Sequence, residues 1–416
     1  MSIYQPAEDS YMLQKYVKKL AFGRVLDIGT GSGIQAKTAA ESINIKNVIA
    51  VDVQEDVVKS FNEELKQNKT NILRAKKLKV KRSDLFSNVE NKFDTIIFNP
   101  PYLPQDYISK KPIDDITIYG GKKGWEVLER FFSELGNYLS SNGVALILFS
   151  SLTNKEKVDQ FVEKNMFESE LLEEKRLPMF ETLYVYAVRN SKLRNKLTNL
   201  GVKNINYIAK GHRGLVYKAV WERSNLVKTH FAKKEELVVA IKTANPRSEA
   251  KERIANEAKW LNEINKLGMG PKLLCSTGDF LIMEFIEGLT LPKFIEKEKK
   301  LNSSKRKSKN LLNVILRILE QCYLLDKKGV NKEELNRPTK NLVISKNGVH
   351  NIVTLLDFER CYDTDKPHNV NQFCSFLAQQ RFVDKENMLE LAKVYKKRYS
   401  KADFEKILML VKAGFS

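Results

Sequence analysis

Arg24-Val25-Leu26-Asp27-Ile28-Gly29-Thr30-Gly31-Ser32-Gly33 is a short apolar run that breaks into closely spaced glycines. The run reads as a buried strand and the glycines as a tight strand-to-helix turn, because residues without a Cβ let the backbone reverse and approach a ligand closely. A helical stretch follows from Ile34 to about Ser42. The next apolar run, Asn47-Val48-Ile49-Ala50-Val51, ends in Asp52, placed to accept hydrogen bonds from both ribose hydroxyls of a nucleoside. Leu78 to Arg82 is a third run and ends at Ser83-Asp84-Leu85, where Asp84 suits an adenine amino group. Phe93-Asp94-Thr95-Ile96-Ile97-Phe98 is a fourth, and Asn99-Pro100-Pro101-Tyr102 follows it directly. Strands and helices alternating in this way predict an open, mostly parallel α/β sheet, with ligands at the carboxyl ends of its strands. A dinucleotide site would explain Gly29 to Gly33 and Asp52, but it gives Asp84 and Asn99 to Tyr102 no role.

Asn99 to Tyr102 can hold a planar NH2 group. The Asn99 amide oxygen and the next carbonyl accept its two hydrogens, Pro100 and Pro101 stiffen the backbone, and the Tyr102 ring packs on the amide or base plane. Two prolines after a strand also make a stiff turn with no chemistry attached. Taken together, Asp27 to Gly33, Asp52, Asp84 and Asn99 to Tyr102 resemble the motif series of class I S-adenosylmethionine-dependent methyltransferases. The last motif is similar to that of the HemK-type glutamine methyltransferases and of the adenine-N6 enzymes. Tyr4-Gln5-Pro6-Ala7-Glu8-Asp9-Ser10 resembles the short N-terminal segment of the archaeal and eukaryotic HemK-like branch.

That resemblance implies a seven-stranded Rossmann-like sheet with a terminal antiparallel hairpin over residues 1–190. It implies S-adenosylmethionine contacts from Pro6, Glu8, Asp27, Gly29, Thr30, Gly31, Gly33, Asp52, Asp84, Leu85 and Asn99, with Pro6, Glu8 and Asp9 closing over the cofactor. The same stretch also has the proline and acidic residues of an ordinary helix start. Asn99, Pro100, Pro101 and Tyr102 would be the catalytic residues. Members of the branch act on a translation release factor with a small zinc-binding activator subunit, so both are implied partners. Further along, Ile113 to Gly124 is a glycine-containing loop suited to a substrate entrance, and Trp125 to Leu139 has amphipathic helical spacing. Gly143 to Phe149 reads as a strand, and Glu168 to Lys175 with Thr182 to Val188 reads as the hairpin. No histidine or cysteine lies in this half, which leaves it no thiol nucleophile and no histidine metal ligand.

The chain of 416 residues is long enough for two domains, each with its own core. Its formal charge of +20 favours polyanionic neighbours such as RNA or the ribosome, although a lysine-rich proteome gives the same balance. Cys275, Cys322, Cys361 and Cys374 are unpaired in spacing, as expected of reduced thiols in a cytoplasmic protein. No apolar run reaches membrane-spanning length. Asn190 to Lys196 is polar and basic and marks a boundary.

Beyond it, Ile208 to Ala219 resembles a kinase glycine-rich strand–turn–strand with Gly211 and Gly214 in the turn. Val238-Val239-Ala240-Ile241-Lys242 looks like the third-strand lysine motif, and Glu257 on the following helix could orient Lys242 toward ATP phosphates. Leu281 to Gly288 reads as a strand entering a hinge. Val353 to Glu359 is a strand ending at Asp357, which with Asn341 would hold Mg2+. Residues 191–416 thus resemble small archaeal Ser/Thr kinases distantly related to the RIO family, implying an α+β bilobal kinase-like domain that takes ATP and Mg2+. The pattern departs from standard kinases. No His-Arg-Asp precedes Asn341, Glu334 is the nearest counterpart of the catalytic base, and Phe358-Glu359 replaces Phe-Gly after Asp357. A domain that binds nucleotide without catalysis fits the same residues. The basic run Lys297 to Lys309 reads as a solvated insertion or a polyanion contact. For the first half, methylation of a protein glutamine and methylation of an adenine or other base amine in RNA or DNA both satisfy Asn99 to Tyr102.

Overall fold

A computed structural model describes residues 5–67, 77–105, 119–210, 214–223, 235–244, 251–301, 309–348 and 350–415. The chain forms two compact units, Met1–Tyr207 with Ala219–Glu236, and Ile208–Lys218 with Leu237–Ser416. In the first, β1 (Gly23–Ile28), β2 (Ile45–Asp52), β3 (Leu78–Arg82), β4 (Phe93–Phe98), β5 (Leu139–Ser150), β6 (Phe167–Arg176) and β7 (Thr182–Asn190) make one sheet in the order β3-β2-β1-β4-β5-β7-β6. β1 to β5 pair in parallel, and β7 runs antiparallel to both β5 and β6. The strand order reverses at β1, with β2 on one side and β4 on the other, and such a switch point opens a crevice at the carboxyl ends. Ile28 lies opposite Phe98, so the glycine loop and Asn99 leave the sheet side by side.

Alternate strand residues feed two cores. Leu26, Ile28, Ile96, Phe98 and Ile147 pack with the helices Glu126–Tyr138 and Lys155–Lys164 through Phe131, Phe132, Leu135 and Phe161. Val25, Ile97, Leu146 and Leu148 pack on the other face with the helices Glu8–Leu20 and Ile34–Ala40 through Leu13, Val17, Ala36 and Ala39. Coverage on both faces is why these strands read as unbroken apolar runs. Asn190 to Lys196, polar in sequence, enters a helix at Lys192–Asn199 whose start is capped by Ser191. Arg194 on that helix is buried, donates to Asn165 O at 2.7 Å, and lies over the Phe167 ring.

Strands β8 (Val202–Lys210), β9 (Gly214–Arg223), β10 (Glu235–Ala244), β11 (Leu273–Ser276) and β12 (Phe280–Glu284) form a sheet in the order β11-β12-β10-β9-β8, followed in sequence by mainly helical structure. Small sheets join β13 (Leu289–Thr290), β15 (Leu342–Asn347) and β16 (His350–Leu355), and β14 (Val330–Asn331) with β17 (Tyr362–Asp363). Helix Lys309–Lys327 buries Leu311, Val314, Ile315, Ile318, Leu319, Cys322 and Leu325, a stripe at three- and four-residue spacing. At its end the buried Asp326 carboxylate accepts from the backbone N–H groups of Asn369 (2.9 Å) and Val370 (3.3 Å) and from the Tyr395 hydroxyl (3.1 Å), capping helix Asn369–Gln379 from outside. The four cysteines are free, and among the described residues no helix is long and apolar enough to cross a membrane.

Asp27 is the polar exception in β1. It is buried, and one carboxylate oxygen accepts from Thr30 Oγ1 (2.6 Å) and from Ala36 N–H (3.1 Å), which ties the glycine loop to the first turn of the next helix. At Gly33, φ is +75° and an added Cβ would meet the Phe61 ring at 2.4 Å, so this loop position must be glycine. Burial pushes the Asp27 carboxyl up to about 7, against the two hydrogen bonds that pull it down. The folded state therefore binds a proton that an unfolded carboxyl, near pKa 3.9, releases earlier. The stability from this group is full below about pH 4 and is lost as pH rises to about 7. Thermal melts of the wild type should show that decline, and Asp27→Asn should flatten it; identical pH slopes would contradict the assignment.

Candidate functional site

A cavity of about 470 Å³ opens at the carboxyl ends of β1 to β4. Asp27, Gly29, Thr30, Gly31, Asp52, Asp84, Leu85 and Asn99 to Tyr102 all line it, so one place gathers most of the residues expected from sequence. Gly33 serves the loop from behind, against Phe61. Pro6 and Glu8 are not among the lining residues. Glu8 is ion-paired with Lys175 and faces a separate concavity with Tyr11 and Glu173. Tyr4 and residues 113–118 of the expected entrance loop lie outside the described residues.

The loop geometry suits a nucleoside. At Gly31, φ is +50° and the space where a Cβ would stand is open. Asp52, which lines the cavity, accepts from Gly31 N–H (3.0 Å) on one oxygen and from Gln54 N–H (3.0 Å) on the other, which fixes the carboxylate beside the glycine loop. A carboxylate has about four acceptor positions, so capacity remains for a pair of ribose hydroxyls. Burial raises Asp52, opposed by these backbone donors. Asp84 is gripped by Arg130, whose Nη2 donates at 2.8 Å. The residues present therefore fit S-adenosylmethionine.

Asn99 shows what the other end of the cavity can do. Its Nδ2 donates to Asp9 Oδ2 at 2.8 Å, and its Oδ1 is buried with no partner among the described residues. A buried acceptor left unmade costs about 1–3 kcal/mol, so such an atom marks the place of a missing donor. Asp9 comes from the first turn of helix Glu8–Leu20, and Gln35 Nε2 donates to the neighbouring Ser10 carbonyl at 2.8 Å, holding that turn against the glycine-loop helix. Glycines close the roof. A Cβ on Gly120 would stand 2.6 Å from Pro101 O, and one on Gly124 2.8 Å from Tyr102 O, so this segment lies backbone to backbone on the Asn99 loop. Sequence reasoning passed over Arg130 and Glu181, which also line the cavity. Their only signal was a charged residue next to an apolar element.

In the second half, Lys242 Nζ lies 2.6 Å from Glu257, 3.0 Å from Asp357 and 3.2 Å from Glu359. Burial alone would lower the lysine, but the three carboxylates outweigh it and hold the ammonium well above its usual range. Burial raises Glu257, while Lys242 and Lys332 hold Asp357 low in spite of its burial. A Cβ on Gly214 would meet Thr243 O at 2.6 Å, which keeps β9 close beside the lysine strand. Gly211 lies outside the described residues. Leu356 N–H donates to Asn341 O (2.8 Å), placing Asn341 next to the approach to Asp357. Glu334 accepts from Asn341 Nδ2 (3.1 Å) and from Arg360 (3.2 Å). Gly214 thus lies against the lysine strand, Lys242 pairs with Glu257 and Asp357, and the Asn341 carbonyl accepts from the residue before Asp357. Glu359 enters the cluster as a third acid that the standard pattern lacks.

A methyltransferase small domain model matches residues 7–176, and a protein tyrosine and serine/threonine kinase model matches residues 202–373. A putative protein N5-glutamine methyltransferase of Methanocaldococcus jannaschii is 38% identical over 190 residues, which cover 45% of this chain and 92% of that protein. A release factor glutamine methyltransferase of Buchnera aphidicola is 29% identical, and the match spans only 54% of its length and 36% of this chain. The E. cuniculi Mtq2–Trm112 complex, described as methylating the termination factor eRF1, aligns at 24% identity and a TM-score of 0.36, covering 46% of this chain and 100% of the matched one. The chain therefore belongs, through its first half, to the methyltransferases of the small-domain family that include the HemK-like protein N5-glutamine enzymes, and it carries a protein kinase family domain behind it.

Proposed function

We propose that the first half transfers a methyl group from S-adenosylmethionine to the side-chain amide nitrogen of a glutamine in a protein, a translation release factor. The observation that carries this is the buried, unpartnered Oδ1 of Asn99, with the opposite end of the same amide fixed by Asp9. Gly29, Thr30, Gly31, Asp52, Asp84 and Leu85 would hold the cofactor, with Asp27 and Gly33 shaping the loop. When bound, it supplies a methyl group on a sulfonium. Asn99 Oδ1 and the Pro100 carbonyl accept the two N–H hydrogens of the substrate. An amide nitrogen is a poor nucleophile because its lone pair is delocalised, so fixing both hydrogens is what aims that pair at the methyl carbon. Proximity and orientation supply most of the acceleration. The release factor is supported by the names of relatives such as the Buchnera enzyme. A small zinc-binding activator subunit and a cytoplasmic setting belong to the same reading. The alternative acceptor is an adenine or other base amine in RNA or DNA, which the +20 charge would attract.

For the C-terminal domain we propose binding of ATP with Mg2+. Lys242, oriented by Glu257, would meet the phosphates, Gly211 and Gly214 would cover them, and Asn341 and Asp357 would hold the metal. Glu334 would be the base if phosphoryl transfer to Ser or Thr occurs.

Labelled S-adenosylmethionine should deliver label to purified release factor, more strongly with the activator present. Label in total RNA and none in release factor would overturn the glutamine reading. Asn99→Ala should lower kcat by about 10²-fold or more with a smaller loss of cofactor affinity, since Oδ1 is the atom offered to the acceptor while Nδ2 is held by Asp9. Equal loss of cofactor affinity would show that Asn99 serves binding instead. ATP with Mg2+ should raise the melting temperature of the full chain, and Lys242→Met should remove that shift; a shift that survives the substitution would exclude Lys242 from the nucleotide site.

A further inference from the structure

We infer that Glu181 takes the proton of the acceptor nitrogen once Asn99 Oδ1 and the Pro100 carbonyl have positioned it, an inference that rests on the methyl-transfer reading above. Five acids line the cavity: Asp9, Asp27, Asp52, Asp84 and Glu181. Four are engaged by the protein itself, Asp9 with Asn99, Asp27 with Thr30 and Ala36, Asp52 with Gly31 and Gln54, and Asp84 with Arg130. Glu181 differs. Its Oε1 is buried and has no partner among the described residues, the same condition as Asn99 Oδ1 in the same cavity. Gln35 Oε1 is a third unpartnered acceptor of the same cavity, and of the three only Glu181 belongs to a group that can take up a proton.

The backbone around Glu181 is built to hold it there. Leu177 N–H donates to Glu181 O at 2.8 Å and closes the turn between β6 and β7, and Thr182 N–H donates to Ser151 Oγ at 3.0 Å, pinning the turn to the end of β5. Phe180 sits at φ +63°, a conformation that aromatic residues rarely adopt, with its ring fully in solvent. The next residue, Glu181, lines the cavity. In the sheet, β5 lies between β4 and β7, and the register sets Phe98 level with Ile147 and Leu183 level with Ser150, so Glu181 stands beyond Asn99 toward the open end of the cavity that both line.

The chemistry assigns different tasks to the two groups. Asn99 Oδ1 accepts a hydrogen bond but cannot take a proton, whereas a carboxylate can do both. As the nitrogen lone pair forms the N–C bond, the C–S bonding pair remains on sulfur and the nitrogen becomes positive. The N–H bonding pair then stays on nitrogen, the proton passes to Glu181 Oε1, and the acid returns it to water after product leaves. The negative carboxylate also favours the positive charge that builds on nitrogen.

The test compares wild type, Glu181→Gln and Glu181→Asp in the full chain with labelled S-adenosylmethionine, on purified release factor and on total RNA. Melting temperature and cofactor affinity are measured in parallel to establish that each variant is folded and loaded. Glu181→Gln should keep both and lose kcat by about 10²-fold, the usual contribution of a proton-accepting group, with a smaller change in the acceptor KM. Glu181→Asp should recover part of the rate, because it restores a carboxylate. A Glu181→Gln enzyme with wild-type kcat would overturn the inference, as would a loss that appears only in KM. Label that goes to RNA instead of release factor would overturn the glutamine reading alone, and kcat measured on RNA would still decide Glu181. Transfer to neither acceptor by the wild type would overturn both.

Discussion

The hydrogen bond from Asn99 Nδ2 to Asp9 Oδ2 is the constraint on which the rest of the site depends. A primary amide can present either of its ends, and only a neighbour that cannot donate decides between them. Asp9, as a carboxylate, fixes the nitrogen toward itself and leaves the oxygen facing the cavity. Its own position depends on the docking of helix Glu8–Leu20. Leu13 and Val17 bury that helix against the sheet, and Gln14 and Gln35 cross to Thr38 Oγ1 (2.8 Å) and Ser10 O (2.8 Å). The orientation of the side chain just past the end of β4 therefore follows from the packing of a helix that begins about ninety residues earlier. Loosening the helix would let the amide turn over without any change in the catalytic loop itself.

Both halves of the chain keep charged groups out of water at the expense of stability and in exchange for geometry. Asp27 is buried so that a single oxygen can tie Thr30 to Ala36. Lys242 stands among three carboxylates, and fully buried Lys332 donates to the Asp357 carbonyl while lying 5.0 Å from the Phe358 ring centroid. Buried ionic groups of this kind seldom stabilise a fold more than apolar residues would, and removing one partner is costly because it strands the other. Their presence here is better understood as fixing which atoms face a ligand. Glu359 makes the point: the kinase-like pattern has a glycine after Asp-Phe, and this chain puts there an acid that competes for the lysine.

The order of strand ends was legible in the sequence because each functional position sits where an apolar run stops. Gly29, Asp52, Asp84 and Asn99 could be aligned with strand termini before any coordinates, and all line the cavity. The pairing of these positions with other side chains was not legible. Asp9 reads equally well as a first-turn helix residue, and only tertiary packing brings it to Asn99. Glu8, its neighbour, carries the same signal and turns instead to Lys175. Glu181 lies in a turn whose φ at Phe180 no propensity would suggest, and the basic stretch around Arg194 is a capped helix in which that arginine is buried. Local sequence fixes where a residue is along a strand; which neighbour it meets is decided by helices that arrive from far away in the chain.

The central claim is that an amide NH2 on a protein is what completes the unpartnered oxygen of Asn99. Tandem mass spectrometry of release factor incubated with the full chain, activator and S-adenosylmethionine tests it most directly, because it locates the methyl group on an atom. The account predicts a single methyl group on the side-chain nitrogen of one glutamine. A methyl group on any other protein atom, or an unmodified release factor beside methylated RNA bases, would contradict it.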